Sequence, residues 1–289
     1  MDNQLTDWWP SPAKLNLFLH ILGRNERGYH LLQTLFQMLD VGDKLAFRLT
    51  NDEKIILTNP LAGVADEDNL IVRAARLLQT TCKVTQGVTI TLDKHLPMGG
   101  GIGGGSSNAA TTLVALNELW KCKLNNTQLA ELGLSLGADV PIFIHGETAF
   151  ASGVGEKVFP VKIAPKWYLV ANPGIHVSTA EVFAAAELPR NSSAINWHDY
   201  KFEETRNDCQ TLVTNRHPEV AKLLQWLVHY APSRMTGTGA CVFATFASQA
   251  QAMEVQARLP IEWTSFIAKG VDQSPLKIKQ QTVRAASDM

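Results

Sequence analysis

Charge of one sign is never concentrated in this chain. No run of five acidic or five basic residues occurs, and 26 Lys+Arg against 27 Asp+Glu leave a formal charge of -1. Gripping a phosphate backbone takes clustered cations, so no nucleic-acid partner is expected. Long apolar runs are missing too: no window approaches the roughly 18 uninterrupted apolar residues of a membrane span, so no membrane partner is expected. The opening MDNQLTDWWPSPAK has two early acids and no basic stretch leading into an apolar one. A secretory leader is therefore not expected, and the location read from the sequence is cytoplasmic. Cysteine is sparse. Cys82, Cys122, Cys209 and Cys241 form no C-x-x-C pair, which argues against a zinc site and a disulfide framework and for four reduced, buried thiols. There is no Gly-Lys dipeptide for a P-loop, no H-R-D or D-F-G of a protein kinase, no H-E-x-x-H and no G-x-S-x-G.

What is present is globular in character, 45% hydrophobic and 18% charged, and 289 residues suit two domains or one large one. One stretch stands apart, GGGIGGGSSNAATTL from Gly99 to Leu113. Six glycines in seven residues cost backbone entropy and bury no side chain, so something must approach that backbone closely. The stretch lies between an alternating strand, Gly87 to Asp93, and a helical pattern from Ser107 to Trp120. A glycine turn feeding a helix presents unpaired N–H groups and a positive dipole end, a cradle for phosphate. Its G-x-G-x-x-G pattern is shared with dinucleotide folds, but the acid at the ribose-binding distance, Glu118, falls inside the same helix.

Elsewhere, Ala13 to Leu22 alternates as a strand with Lys14, Asn16 and His20 on its polar face. Leu31 to Leu39 fits strand or short helix. Lys44 to Thr50 and Lys54 to Thr58 read as a pair of strands. The run DEDNLIVRAARLLQTT reads as an amphipathic helix with acids at its front. A helix is expected from Asn126 to Leu136 with Gly137 after it, and GADVPIF as a loop into an apolar segment. The stretch Val161 to Lys166, with Pro160 and Pro165, is the candidate boundary. Beyond it come a strand at Trp167 to Ala171, a capping box at Ser178 to Glu181, a polar loop over 189–210, and helices at Pro218 to Tyr230 and Gln249 to Leu259. One further strand follows the TGTGA turn, Thr236 to Ala240, and another spans Trp263 to Lys269.

Lys14 alone reads as a solvated lysine, and Asp139 before Val-Pro as a turn or cap residue; as a pair, a carboxylate beside an ammonium can take or orient the proton of an acceptor hydroxyl. Tyr29 and His30 suit either a base-binding loop or ordinary packing. The TGTGA turn suits either a second approach to a ligand or a tight strand entry.

Three segments, PSPAKLNLFLHILGRNERGYH, LPMGGGIGGGSSNAA and SRMTGTGACVF, resemble in order and spacing the GHMP family of small-molecule kinases. The resemblance implies an α+β fold of two domains: an ATP-binding α+β domain over 1–163 and a C-terminal ferredoxin-like α/β sandwich over 164–289, with the site in the cleft between. It implies transfer of the ATP γ-phosphoryl to the tertiary 2-hydroxyl of a cytidine diphosphate-bearing substrate, with Mg²⁺ on the phosphates, by a monomer or weak homodimer. Asp139 matches the base, and Lys14 the cation that holds it ionised. The phosphate loop is matched by Pro97, Met98, Gly99, Gly100, Gly101, Ile102, Gly103, Gly104, Gly105, Ser106 and Ser107, and the adenine pocket by Asn69. Asn16, Tyr29, His30 and Phe183 fall where the cytidine diphosphate is held. Homoserine, mevalonate or sugar kinases of the same family, and a non-catalytic nucleotide-binding protein, are the alternatives. The former should lack the GYH segment, and the latter has no need of Lys14 and Asp139.

Overall fold

The computed structural model describes residues 7–287 apart from 27, 62 and 156, so the expectation of no leader falls largely outside the described residues. The first strand is longer than its alternation suggests: β1 (Trp8–Arg24) pairs antiparallel with β2 (His30–Thr50). Residues 31–39, which fit two patterns, are therefore strand, continuous with 44–50. Their periodicity is blurred because β2 is buried along most of its length, so both faces carry apolar residues. Register shifts in the β1–β2 ladder between Pro12 and Lys14 and between Asn16 and Leu19 also break strict alternation. Phe18 is thus as buried as Leu15, and Lys14, Asn16 and His20 are buried rather than solvated.

β3 (Ile55–Leu57) does not pair with the end of β2. It runs parallel to β4 (Gly87–Asp93), which lies between them, and α1 (Leu70–Cys82) makes the crossover. The acids before α1 lie outside it; Asn69 is its N-cap, with Oδ1 accepting from the Ile71 amide at 2.9 Å. Next come α2 (Gly104–Leu119), α3 (Asn126–Leu134) and α4 (Val140–His145). Where GADVPIF suggests a loop, α4 has already begun, because Pro141 sits in its first turn, where a missing N–H costs nothing. The hairpin β5 (Ala149–Gly153) and β6 (Lys157–Pro160) adds to β2. One core fills the space between these helices and strands, with Leu113, Leu116 and Phe143 fully buried.

The second half supplies β7 (Trp167–Asn172), α5 (Thr179–Ala184), α6 (Gln210–Arg216), α7 (Pro218–Val228), β8 (Ser233–Met235), β9 (Val242–Phe246), α8 (Gln249–Gln256), β10 (Thr264–Val271) and α9 (Pro275–Ser287). Ser178 caps α5, accepting from the Glu181 amide. The strands order as β10-β7-β9-β8, all antiparallel, over a second core that includes Leu169, Leu223 and Leu227. β10 also pairs with β2 at Gly270 and Val271, which joins the halves into one ten-stranded sheet. α9 then returns to the first half: Leu276 enters the first core, and Arg284 meets Glu118 of α2 at 2.7 Å. The polar loop 189–210 holds a single 3₁₀ turn and is laid on β1, where Asp208 accepts from the Ile21 amide and the Ser192 hydroxyl.

Candidate active site

The halves enclose a cleft of 480 Å³, and the glycine loop forms its floor. α2 begins at Gly104, earlier than the pattern from Ser107 suggests, after Gly103 in the left-handed region at φ 76°. No side chain caps this end. The N–H groups of the first turn are therefore free to meet an anion, and Gly104, Gly105 and Ser106 line the cleft.

Much of the close approach to this loop comes from the protein itself. Backbone amides of Ala240 and Cys241, at the end of the TGTGA turn, donate to the carbonyls of Gly99 and Gly100 at 3.2 and 3.1 Å. A Cβ on Gly101, at φ 71°, would lie 2.4 Å from the Thr236 carbonyl oxygen; on Gly100 it would meet Cys241 Sγ at 2.5 Å, and on Gly103 the Phe143 ring at 2.6 Å. Only a hydrogen fits at these positions. Gly104 and Gly105 differ: a Cβ there would touch nothing closer than 3.6 Å. Ile102 between the glycines is buried at 1% exposure and anchors the loop, with its carbonyl accepting from the Lys14 amide. Pro97 and the exposed Met98 flank the cleft.

Above the loop stands Lys14, 2% exposed. Its ammonium donates to Asn16 Oδ1 at 2.5 Å and the Gly101 carbonyl at 3.2 Å, and forms an ion pair with Asp139 Oδ2 at 3.2 Å. Asn16 donates in turn to the Thr34 hydroxyl. Asp139 precedes α4 but caps nothing, and its side chain keeps 38% of its exposure toward the cleft. The carboxylate is thus tethered on one side and open on the other.

A second carboxylate, unremarked in the sequence, builds the wall beside the loop. Asp43 of β2, 1% exposed, accepts from the amides of His95 and Leu96, from Asn108 Nδ2 and from Lys94 Nζ at 2.8 Å, and Lys94 lines the cleft. What marks Asp43 is its burial under four donors, and the segment VGDKL carries no sign of that in sequence. Ser107 does not reach the cleft; buried in α2, it accepts from the Ser11 hydroxyl. Asn69 is spent on capping α1 through Oδ1, while its buried Nδ2 has no partner among the described residues; Leu61 and Leu70 line the cleft.

On the far wall Phe183 of α5 lines the cleft. His30 does not itself line it but packs on Phe183 with ring centroids 5.1 Å apart. Tyr29 is 64% exposed and is not brought to the cleft. Burial, with help from Arg24 and Arg190, pushes the His30 pKa below its ordinary value. Among the described residues no group of three or more His, Cys, Asp or Glu is placed to hold a metal ion. The four cysteines are free; Cys209 and Cys241 are buried and burial pushes each thiol up to about 12, whereas Cys82 and Cys122, expected to be buried, are only half-buried.

Comparison with known proteins decides what this cleft belongs to. The GHMP kinases N terminal domain matches residues 69–147, and the GHMP kinases C terminal domain matches 184–265. The 4-diphosphocytidyl-2-C-methyl-D-erythritol kinase of Pseudoalteromonas atlantica is 63% identical over 96% of this chain and 97% of its own length. The chain belongs to the GHMP kinases, in the family of 4-diphosphocytidyl-2-C-methyl-D-erythritol kinases. The kinase of the same name from Shewanella woodyi is 56% identical over 96% of this chain and 99% of its own. A crystal structure of 4-(cytidine 5'-diphospho)-2C-methyl-D-erythritol kinase superposes with a TM-score of 0.81, at 29% identity, over 92% of this chain and 100% of that one. The two-domain α+β GHMP kinase fold and an ATP-dependent small-molecule kinase activity follow from this membership. No helix among the described residues is long and apolar enough to cross a membrane.

Proposed function

We propose that the chain transfers the γ-phosphoryl of ATP to the 2-hydroxyl of 4-diphosphocytidyl-2-C-methyl-D-erythritol, giving the 2-phosphate and ADP in isoprenoid precursor synthesis. The observation that carries this reading is the Asp139–Lys14 pair at 3.2 Å, which faces the uncapped start of α2 across one cleft. In the transfer, a bond forms between the acceptor oxygen and the γ-phosphorus, the bond from that phosphorus to ADP breaks, and the hydroxyl proton passes to the exposed Asp139 oxygen. Lys14 holds Asp139 in place, and the α2 amides with Gly104, Gly105 and Ser106 hold the phosphates. Asn69 and the neighbouring Leu70 serve the adenine, with the unpartnered Nδ2 of Asn69 as a donor; Asn16, Tyr29, His30 and Phe183 serve the cytidine diphosphate.

Mg²⁺ supplies charge neutralisation on the phosphates when bound. The residues present fit such an ion: Mg²⁺ retains waters beside substrate phosphates, and the Ser106 hydroxyl in the cleft would help hold it there without a dedicated cage, leaving the open Asp139 oxygen to the hydroxyl proton. By the same reading the chain divides into an ATP-binding domain over 1–163 and a substrate-side domain over 164–289, with α9 packing back on the first. By that reading it is also a monomer or weak homodimer in the cytoplasm; both halves of one copy line the cleft, and its cysteines are free.

The test incubates the protein with Mg·ATP and this substrate and follows ADP with the phosphorus spectrum. A new phosphomonoester signal in step with ADP is expected. Turnover with another small alcohol, and none with this one, would overturn the substrate assignment.

A further inference from the structure

Arg190 lies in the polar loop that follows α5, and all five of its N–H groups are engaged. Nε donates to His30 Nε2 at 3.0 Å, Nη1 to the carbonyls of Ala186 and Leu188 at 3.3 and 3.0 Å, and Nη2 to those of Phe183 and Ala185 at 3.3 and 2.6 Å. One guanidinium thus ties the C-terminal end of the helix bearing Phe183 to the imidazole packed on Phe183. The other end of α5 is fixed as well, since the Thr179 hydroxyl shares a hydrogen bond with that of Thr238 at 2.9 Å.

His30 Nε2 meets a second donor, Arg24 Nε, at 3.2 Å. Neither arginine can accept a hydrogen bond, so a proton on Nε2 would abut two N–H groups and two positive charges. The ring nitrogen that satisfies both must offer its lone pair. The imidazole is then neutral with its proton on Nδ1, and among the described residues Nδ1 has no partner. The direction of the His30 pKa, downward, agrees.

We infer that Arg190 is a positioning residue for base selection: by holding His30 as the Nδ1–H tautomer beside Phe183, it favours a pyrimidine whose ring nitrogen accepts a hydrogen bond over one whose ring nitrogen donates. The inference rests on the proposed reading that His30 and Phe183 meet the cytosine. Cytosine carries a lone pair at N3, and uracil carries N–H there. A fixed Nδ1–H donor satisfies the first and opposes the second, and a ring free to change tautomer would accommodate either.

The test uses the full chain with CDP and UDP as probes. Calorimetry compares their affinities, and ¹⁵N spectra of the histidine rings report the His30 tautomer. The unaltered protein should show Nδ1–H at His30 and bind CDP at least about 10-fold more tightly than UDP, as expected where a wrong partner leaves a polar group unpaired. In Arg24→Leu/Arg190→Leu, which removes both donors to Nε2, the CDP-to-UDP ratio should fall toward one with ATP affinity unchanged; Arg190→Leu alone should lower it in part, and Arg190→Lys, which keeps a donor, should recover most of that part. A role confined to bracing α5 would lower stability and leave the ratio intact, which overturns the inference, as does an Nε2 proton in the unaltered protein. If Arg190→Leu does not fold, the tautomer of the unaltered protein decides. Turnover of the methylerythritol substrate in the same preparation separates the two failures: turnover without CDP preference overturns this inference alone, and absence of turnover removes the reading beneath it.

Discussion

Lys14 and Asp139 differ in exposure, 3% against 38% for their side chains, in a way that matches their chemistry. A buried lysine held by two hydrogen bonds and an ion pair is a fixed strut, while a carboxylate open on one side can meet a hydroxyl. Asp139→Asn is expected to lower kcat by roughly 10² to 10⁴ with ATP affinity nearly unchanged, and to lower the melting temperature somewhat, because the buried Lys14 ammonium loses its counter-charge but keeps an amide oxygen beside it. Steady-state kinetics and calorimetry check this, and an unchanged kcat removes Asp139 from the chemistry. Asp43→Ala should act on stability instead, costing about 3 to 5 kcal/mol, since it strands Lys94 and two buried amides; denaturant unfolding reads it. Neither pairing is legible from periodicity. Lys14 and Asp139 lie on elements far apart in the chain, so family resemblance alone brings them together, and Asp43 looks in sequence like any strand-edge acid.

The glycine loop is legible as a cradle, but its reason is only half so. Six glycines suggest close approach by a ligand, and the structure gives Gly100, Gly101 and Gly103 to the protein's own TGTGA turn, Cys241 and Phe143. Gly104 and Gly105 remain unexplained by packing. Two substitutions separate these roles. Gly101→Ala should destabilise by about 1 to 3 kcal/mol and break the loop-to-turn contact. Gly105→Ala should leave stability equal or higher by up to about 1 kcal/mol, since a helix gains from alanine, yet weaken ATP binding if phosphate meets that surface. Thermal unfolding and nucleotide titration on both variants give the answer. Helices with a clear apolar stripe, such as α1, are legible almost to their ends. α4 escapes a sequence reading because six mostly apolar residues around a proline have no period to read.

Across the whole molecule, burial pushes the imidazoles of His20, His30 and His145 below their ordinary 6.5. Between those lowered values and 6.5 the unfolded chain binds more protons than the folded one, so stability rises with pH in that window and is lost as acid is added. The melting temperature should be flat near neutrality and fall as the pH drops below 6.5; a flat profile throughout would contradict the burial of these rings. The prolines near residue 163 suggest a junction in sequence, but the stitching across it is not legible there, because strand order is a long-range property: one core cluster packs Leu15 and Phe18 against Tyr168 and Phe243. β10 serves both halves and α9 crosses back to close the first core. A ribosome delivers β1 through β6 first, yet the socket for Leu276 and the partner of Glu118 are filled only by a helix made after β10. Birth order and assembly order therefore part company here: the nucleotide side waits, unfinished, until the message for the other half has been read through.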